Sequence, residues 1–166
     1  MTKETYDNIA EPFRKNRGLL VLLKVCNKLC TLVGFAAYPV LIALLYFTGG
    51  PAWIIYLVIP ALCFVLLTVI RRKLDTKRPY ELLDIEPLIA KEKKGNSFPS
   101  RHVFSMFLIA GCWCGVSVPI GMTAFLCGIL LAVIRVIGGV HFPKDVAAGA
   151  VIGTLCGLIT VLAGNI

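Results

Sequence analysis

The sequence has little that could form a disulfide framework or a metal centre. Its seven cysteines lie in or beside apolar runs, their number is odd, and no Cys-x-x-Cys pair occurs. Clustered carboxylates and Cys/His sets with metal-ligand spacing are also missing. Residues 1–18 are charged and lack the apolar core of a cleavable signal peptide. We therefore expect unpaired packing cysteines, no metal and no other cofactor.

Long apolar runs dominate the rest of the chain. Hydrophobic residues make up 58% of the 166 residues, and the mean hydropathy is +0.84. Runs of about 17–20 apolar residues match the thickness of a bilayer and exclude an ordinary soluble globule. We predict an all-α fold, a polytopic membrane helix bundle with about five spanning helices. The predicted spans are Leu29–Phe47, Ala52–Ile70, His102–Val118, Ile120–Ile137 and Val146–Ala163.

Residues 1–28 form a charged segment ahead of the first predicted span. In its second half, apolar residues at 19–23 are flanked by cations, among them Arg17 and Lys24. This pattern predicts a helix in the membrane interface, with cationic side chains reaching towards the headgroups. A continuation of the first span is the alternative, because the apolar residues up to Phe47 are too few for two crossings. We divide the chain into this segment and a membrane-embedded domain, residues 29–166.

Every charge in the sequence falls on one side of a five-span topology. Of the 17 Lys and Arg, six precede the first span, nine lie within residues 71–101, and Arg135 and Lys144 complete the set. The nine acidic residues lie on the same side, and the opposite connections are uncharged. The positive-inside rule assigns the charged face to the cytoplasm. We expect an integral protein of the plasma membrane with this face inwards.

Three polar clusters interrupt the apolar runs, each at a helix end on the charged face. They read RRKLDTKRPY at 71–80, SFPSRHVFS at 97–105 and RVIGGVHFPKD at 135–145. Because these helix ends share one layer, we expect the three clusters to meet there. Planar guanidinium groups bind phosphate oxygens, and a helix N-terminus favours an anion. The layer is therefore suited to a phosphate group.

The two histidines of the chain both lie in these clusters. Asp145 follows His141 by four residues and can hold one ring nitrogen, which leaves the other nitrogen as a nucleophile or base. His102 is available as a proton donor. Together with the arginines, these groups predict phosphoryl transfer without a metal.

The clusters resemble the motifs of the type 2 phosphatidic acid phosphatases, or lipid phosphate phosphatases, a family related to the vanadium haloperoxidases. The family motifs are K-x6-R-P, P-S-G-H and S-R-x5-H-x3-D. In this chain they correspond, in the same order, to Arg71-x6-Arg78-Pro79, Pro99-Ser100-Arg101-His102 and Ile134-Arg135-x5-His141-x3-Asp145. The resemblance covers roughly residues 71–160.

The resemblance implies a role for each matching residue. It implies that His141 attacks phosphorus and forms a phosphohistidine, and that Asp145 orients His141. His102 would protonate the leaving group and later activate the hydrolytic water. The implied phosphate-binding residues are Arg71, Arg78, Ser100, Arg101 (through its backbone N–H) and Arg135.

The sequence departs from the family pattern at three positions. Arg71 replaces the motif Lys, Ile134 replaces the motif Ser, and Arg101 stands where the motif has Gly. The charge survives at Arg71, although a planar fork replaces a point charge. At Arg101, a bulky cation occupies a position where backbone usually approaches the phosphate. We expect its side chain to point outward and to bind a second phosphate or a headgroup.

We therefore predict an integral membrane lipid phosphatase acting on a phosphate monoester or diphosphate. Phosphatidic acid, phosphatidylglycerophosphate and polyprenyl diphosphate are the candidate substrates, with membrane lipids as surroundings and no nucleic acid partner. A non-catalytic lipid-binding or lipid-translocating protein on the same scaffold is the alternative. The apolar spans argue against a soluble haloperoxidase. The resemblance also opposes the cytoplasmic assignment, because many relatives are thought to face the periplasm, lumen or exterior.

Overall fold

The computed structural model describes residues 1–48, 50–90 and 94–164. The helices are α1 (Lys3–Lys15), α2 (Arg17–Phe47), α3 (Ala52–Leu74), α4 (Pro79–Leu82), α5 (Arg101–Cys114), α6 (Val118–Ile137) and α7 (Pro143–Gly164). No strand occurs in these described ranges. The predicted all-α fold is confirmed.

Asn16 divides the charged N-terminal segment into two helices. Its backbone N–H donates to the Pro12 carbonyl at 3.1 Å, at the end of α1. Its side-chain oxygen accepts hydrogen bonds from the N–H groups of Gly18 and Leu19, at 2.9 and 3.2 Å, and so caps α2. The apolar residues at 19–23 therefore belong to the first span, which agrees with the alternative rather than with a separate interfacial helix there. Residues 3–15 form a separate helix, whereas residues 17–28 continue the first span.

Among the described helices, four are long and apolar enough to cross a membrane: α2, α3, α6 and α7. The third predicted span is shorter than expected, because α5 has 14 residues and is about 21 Å long at 1.5 Å per residue. It nevertheless lies alongside α6. The ring of His102 contacts Arg135 near one end of α6, and a Cβ on Gly121 would lie 2.3 Å from the sulfur of Cys114 near the other.

Helices α5 and α7 cross at glycines. A Cβ on Gly111 would lie 3.0 Å from the Cα of Gly157, and a Cβ on Gly153 would lie 2.4 Å from the Phe104 carbonyl oxygen. Small residues let helix backbones approach closely in membranes, where packing and hydrogen bonds drive association. This close contact brings the N-terminal ends of α5 and α7 side by side.

The outer surface of the bundle is hydrocarbon. Large apolar side chains of α2 and α3 are exposed, including Phe35 (75% exposed), Phe47 (82%) and Leu62 (63%). A soluble protein rarely exposes apolar patches of this extent. The exposed surface is the one that lipid chains would cover in a bilayer.

Helix α1 packs over the connection that contains His141. Tyr6 of α1 is fully buried in a cluster with Ile85, Ile89 and Val140. The Tyr6 hydroxyl donates to the Glu86 carbonyl at 3.3 Å. The α6–α7 connection is therefore covered from the polar side by the N-terminal helix.

Candidate active site

Buried polar side chains gather where α3 and α6 end and where α5 and α7 begin. In the described ranges, seven polar residues of this region keep at most 7% of their surface exposed: Arg71, Arg78, Ser97, Ser100, Arg135, His141 and Asp145. Six of them are candidates from the three sequence clusters, and Ser97 is an addition. Burial of charged groups is costly unless other groups compensate for it. Their contacts therefore indicate what this region is built to hold.

His141 presents its two ring nitrogens to different surroundings. Nδ1 lies 3.6 Å from Asp145 Oδ2 and 3.4 Å from the Ser97 hydroxyl oxygen. Nε2 is buried and has no hydrogen-bond partner among the described residues. A carboxylate beside Nδ1 favours the tautomer with the proton on that nitrogen. The Nε2 lone pair is then available to a group outside the protein.

Burial controls the protonation of His141. It lowers the pKa of the ring to about 4, although the neighbouring Asp145 carboxylate opposes this shift. His141 is therefore neutral near pH 7, which is the form that can act as a nucleophile or base.

The Oδ2 oxygen of Asp145 contacts three groups of the site. Ser97 Oγ donates to Oδ2 at 2.6 Å and the Phe142 N–H donates to it at 3.0 Å, beside the His141 ring. The Asp145 backbone also takes part, since its carbonyl accepts the Ser100 N–H at 2.8 Å. Asp145 thus links the start of α5 to the start of α7 and fixes the orientation of His141.

Ser97 is the site residue that the sequence analysis missed. The 97–98 backbone is bonded to Thr76: the Ser97 N–H donates to the Thr76 carbonyl at 2.9 Å and the Phe98 N–H to its hydroxyl at 2.8 Å. Ser97 lies in the same cluster as Pro99 but outside the four-residue motif. A serine at the edge of a motif is too common a residue to identify without the fold.

His102 and Arg135 form a direct pair. An Nη of Arg135 lies 3.0 Å from His102 Nδ1. The Arg135 carbonyl also accepts the backbone N–H of His141 at 3.3 Å. Arg135 therefore connects the two histidines, which are distant in sequence and close in the fold.

The arginines from the end of α3 and the following turn hold the connecting loops. Arg71 donates to the carbonyls of Asn96 and Pro99. Arg78 donates through Nε to the Gly95 carbonyl at 3.1 Å and through Nη1 to the Val140 carbonyl at 3.4 Å. These bonds join the three sequence clusters, as their common location at helix ends predicts.

Glu81 is a second residue outside the predicted set. Its Oε2 accepts the backbone N–H groups of Arg78 and Gly95, both at 2.9 Å. It follows Arg78 by three residues, across Pro79, which is the spacing of a helix-capping carboxylate. Glu81 therefore holds the Arg78 turn against the loop that carries Gly95.

Ser100 and Arg101 differ in orientation although they are adjacent. The Ser100 side chain is fully buried, and its hydroxyl oxygen has no hydrogen-bond partner among the described residues. Arg101, the first residue of α5, is exposed, and its guanidinium carbon lies 5.7 Å from the centre of the Phe64 ring. The expected outward orientation of Arg101 therefore agrees with the structure.

In the part of the chain that the structure describes, no three His, Cys, Asp or Glu side chains lie close enough together to hold a metal ion. The site is a cluster of guanidinium groups, two buried hydroxyls and two imidazoles. This combination can bind a phosphate, attack it and supply a proton.

A comparison with models of known protein families tests the family resemblance that the motifs suggest. The model of the PAP2 superfamily matches residues 52–165, more than half of the chain. The chain belongs to the PAP2 superfamily. The match includes all eight predicted site residues.

Solved structures of this superfamily share the fold. The crystal structure of Aquifex aeolicus LpxE is 28% identical, with a TM-score of 0.74, over 96% of this chain and 93% of that chain. A transmembrane PAP2 type phosphatidylglycerolphosphate phosphatase from Bacillus subtilis is 18% identical, with a TM-score of 0.75, over 98% of this chain and 85% of that chain. A comparison with curated protein sequences found no significant match.

These findings confirm the predicted family and the helical membrane fold. The chain is an integral membrane protein with the architecture of the PAP2 lipid phosphatases. The family membership supports a phosphatase that acts on a lipid in the membrane.

Proposed function

We propose that this protein hydrolyses a phosphate monoester or diphosphate on a lipid through a phosphohistidine at His141. The observation that carries the proposal is the asymmetry of the His141 ring. Nδ1 faces Asp145 and Ser97, whereas the buried Nε2 has no hydrogen-bond partner among the described residues. A nucleophile that is oriented from one side and free on the other is the arrangement that attack on phosphorus requires.

In the first step, His141 Nε2 attacks phosphorus and the bond from phosphorus to the leaving oxygen breaks. His102 gives a proton to that oxygen, so that the lipid alcohol or phosphate leaves in its protonated form. Burial and the neighbouring arginines lower the pKa of His102 to about 4 in the empty site, so His102 holds this proton only while the negatively charged phosphate is bound. Guanidinium groups stabilise the charge on the three remaining phosphoryl oxygens. The proposed phosphate-binding groups are the side chains of Arg71, Arg78, Ser100 and Arg135 and the backbone N–H of Arg101.

In the second step, His102, now neutral, takes a proton from a water molecule that attacks the phosphohistidine. The bond between His141 Nε2 and phosphorus breaks, and inorganic phosphate is released. Asp145 stabilises the charge that the His141 ring carries while it is phosphorylated. His102 makes both proton transfers and His141 is the nucleophile, so the proposed mechanism requires no metal.

The proposal is tested by phosphate release in detergent, with short-chain phosphatidic acid, phosphatidylglycerophosphate and a polyprenyl diphosphate as substrates. We expect release from at least one of them, unchanged by EDTA and lost in His141→Ala. Lys144→Ala is the matched control, because Lys144 lies between His141 and Asp145 in sequence but is exposed. Release by the parent that does not exceed that of His141→Ala on any substrate would favour the non-catalytic lipid-binding function.

We also propose that the site faces the cytoplasm across the plasma membrane, on the basis of the complete asymmetry of charge. Ala90→Cys places a thiol on an exposed residue of the loop beside the site, whereas the seven native cysteines are buried or partly buried. In intact cells, a membrane-impermeant maleimide should leave Ala90→Cys unlabelled until the membrane is permeabilised. Labelling before permeabilisation would place the site outside.

A further inference from the structure

An apolar groove adjoins the phosphate site and ends at Arg101. It has a volume of about 500 Å³, within the range of small-molecule sites. Its walls are side chains of α2, α3 and α5, among them Phe35, Phe64 and Ile109. His102 lines the same groove. The groove therefore extends from the phosphate site along the hydrocarbon surface of the bundle.

Charge and surroundings define what the groove can hold. Its lining is apolar apart from a few groups, and the flanking faces of α2 and α3 expose large apolar side chains such as Leu32 and Val65. A hydrocarbon chain fits such walls, and a cation at the end of the groove complements an anionic headgroup. The occupant with both properties is an anionic lipid, with its chain in the groove and its headgroup towards Arg101.

The Arg101 side chain is arranged differently from the other site arginines. Arg71, Arg78 and Arg135 are buried and bond to groups of the site, whereas Arg101 is exposed. Its guanidinium lies over the Phe64 ring of the groove wall at 5.7 Å, a geometry that orients a cation without using its hydrogen-bond donors. Within residues 1–48, 50–90 and 94–164, no acidic side chain pairs with it. The Arg101 guanidinium is therefore accessible to a ligand in the groove that it lines.

We infer that Arg101 is a specificity-determining residue, whose side chain binds a second anionic group of the lipid while the buried site holds the phosphate that is cleaved. The second group is the inner phosphate of a lipid diphosphate, or a phosphodiester in the headgroup. The inference rests on the proposed lipid phosphatase activity and extends it to the choice of substrate. It also gives a role to the position at which this chain departs from the family motif.

The test compares three lipids with the same acyl chains in micelles of a neutral detergent. Phosphatidic acid carries one phosphate, diacylglycerol diphosphate carries a second one in an anhydride, and phosphatidylglycerophosphate carries a second one as a diester. The value of kcat/KM is measured for the parent, Arg101→Ala and Arg101→Lys. Arg72→Ala is the matched control, because it removes an exposed cation at the end of α3, outside the groove lining.

We expect Arg101→Ala to lower kcat/KM for at least one lipid with two anionic groups about tenfold more than for phosphatidic acid. Arg101→Lys should retain most of this preference, and Arg72→Ala should change the three values alike. The lipid that loses most distinguishes a diphosphate from a phosphodiester. Because the ratio is taken within one preparation, a lower fraction of folded protein does not change it.

The same ratios in Arg101→Ala and the parent would overturn the inference while leaving the proposed function intact. If Arg101→Ala is too slow to measure, the ratio in Arg101→Gln, which removes the charge but keeps a long polar side chain, decides in the same way. A parent that releases no phosphate from any of the lipids contradicts the proposed function itself. The two failures are therefore distinguishable.

Discussion

The inner helices α5 to α7 and the outer helices α2 and α3 differ in packing and in function. Nine of the 14 residues of α5 are buried, against four of the 31 residues of α2. Helices α5 to α7 approach each other at glycines and carry most of the site, whereas α2 and α3 have few buried residues and form the groove walls together with α5. The catalytic geometry therefore depends on close helix packing, and access for the lipid depends on the loosely packed exterior.

The largest effect on activity short of removing His141 is expected from Asp145→Asn. The amide keeps the size of the side chain but loses the charge that fixes the His141 tautomer and stabilises the ring once it is phosphorylated. We expect kcat to fall by about 10³-fold. Initial rates of phosphate release measure it, with Lys144→Ala as the exposed control. A loss below tenfold would show that Asp145 only caps α7.

Ser97→Ala should have the next largest effect. Its hydroxyl donates to Asp145 Oδ2 at 2.6 Å, so its removal loosens the carboxylate that orients His141. We expect kcat to fall by about 10- to 100-fold while KM changes little, because the interaction does not touch the lipid. A higher KM with an unchanged kcat would assign Ser97 to substrate binding instead.

A glycine of the inner contact and a leucine of the outer surface provide the direct comparison of the two regions. Gly153→Val places a branched side chain against the Phe104 carbonyl and should reduce the stability in detergent by about 1–3 kcal/mol. Leu62→Ala, on the exposed face of α3, should change it by less than about 0.5 kcal/mol. Thermal unfolding of both variants measures the difference. Equal destabilisation would contradict the division into packed and exposed helices.

The acid stability of the inner region depends on His141. Burial lowers the pKa of this ring to about 4 from an ordinary value of 6.5. Below pH 6.5 the His141 ring binds a proton in the unfolded chain but not in the folded protein. The free energy of unfolding is therefore highest above pH 6.5 and decreases as the pH falls towards 4. The loss is on the order of 3 kcal/mol.

His141→Gln removes one of the two histidines whose pKa is lowered by burial, the other being His102, and should therefore reduce the dependence of the unfolding temperature on pH between 6.5 and 4. Lys144→Ala should keep the slope of the parent. An unchanged slope in His141→Gln would show that another group controls acid unfolding.

The sequence was sufficient to predict the meeting of the three clusters. The Arg78-Pro79 pair and the His141-x3-Asp145 spacing both lie next to apolar runs that are long enough to cross a membrane. Helix ends at the same membrane face must lie in one layer, so the clusters at those ends must meet. The same reasoning could not find Ser97, since its contact with Asp145 joins positions 48 residues apart through a loop. Hydrogen bonds across loops have no periodicity that a sequence pattern could reveal.

Helix boundaries were predicted less well than helix positions. The first span begins at Arg17 because cations on a helix surface can reach water along their alkyl stems, so charge alone does not end a span. The short α5 has a different cause. A helix enclosed by other helices does not have to match the thickness of the hydrocarbon layer, and an apolar run around it overestimates its length.

The most direct test of the mechanism is to trap the phosphorylated enzyme. A lipid phosphate labelled with ³²P is mixed with the protein, the reaction is stopped within milliseconds, and labelled peptides are mapped. We predict label on His141, labile in acid and stable in base, and absent from His141→Asn. Phosphate release by His141→Asn at the rate of the parent, or label on another residue, would contradict it.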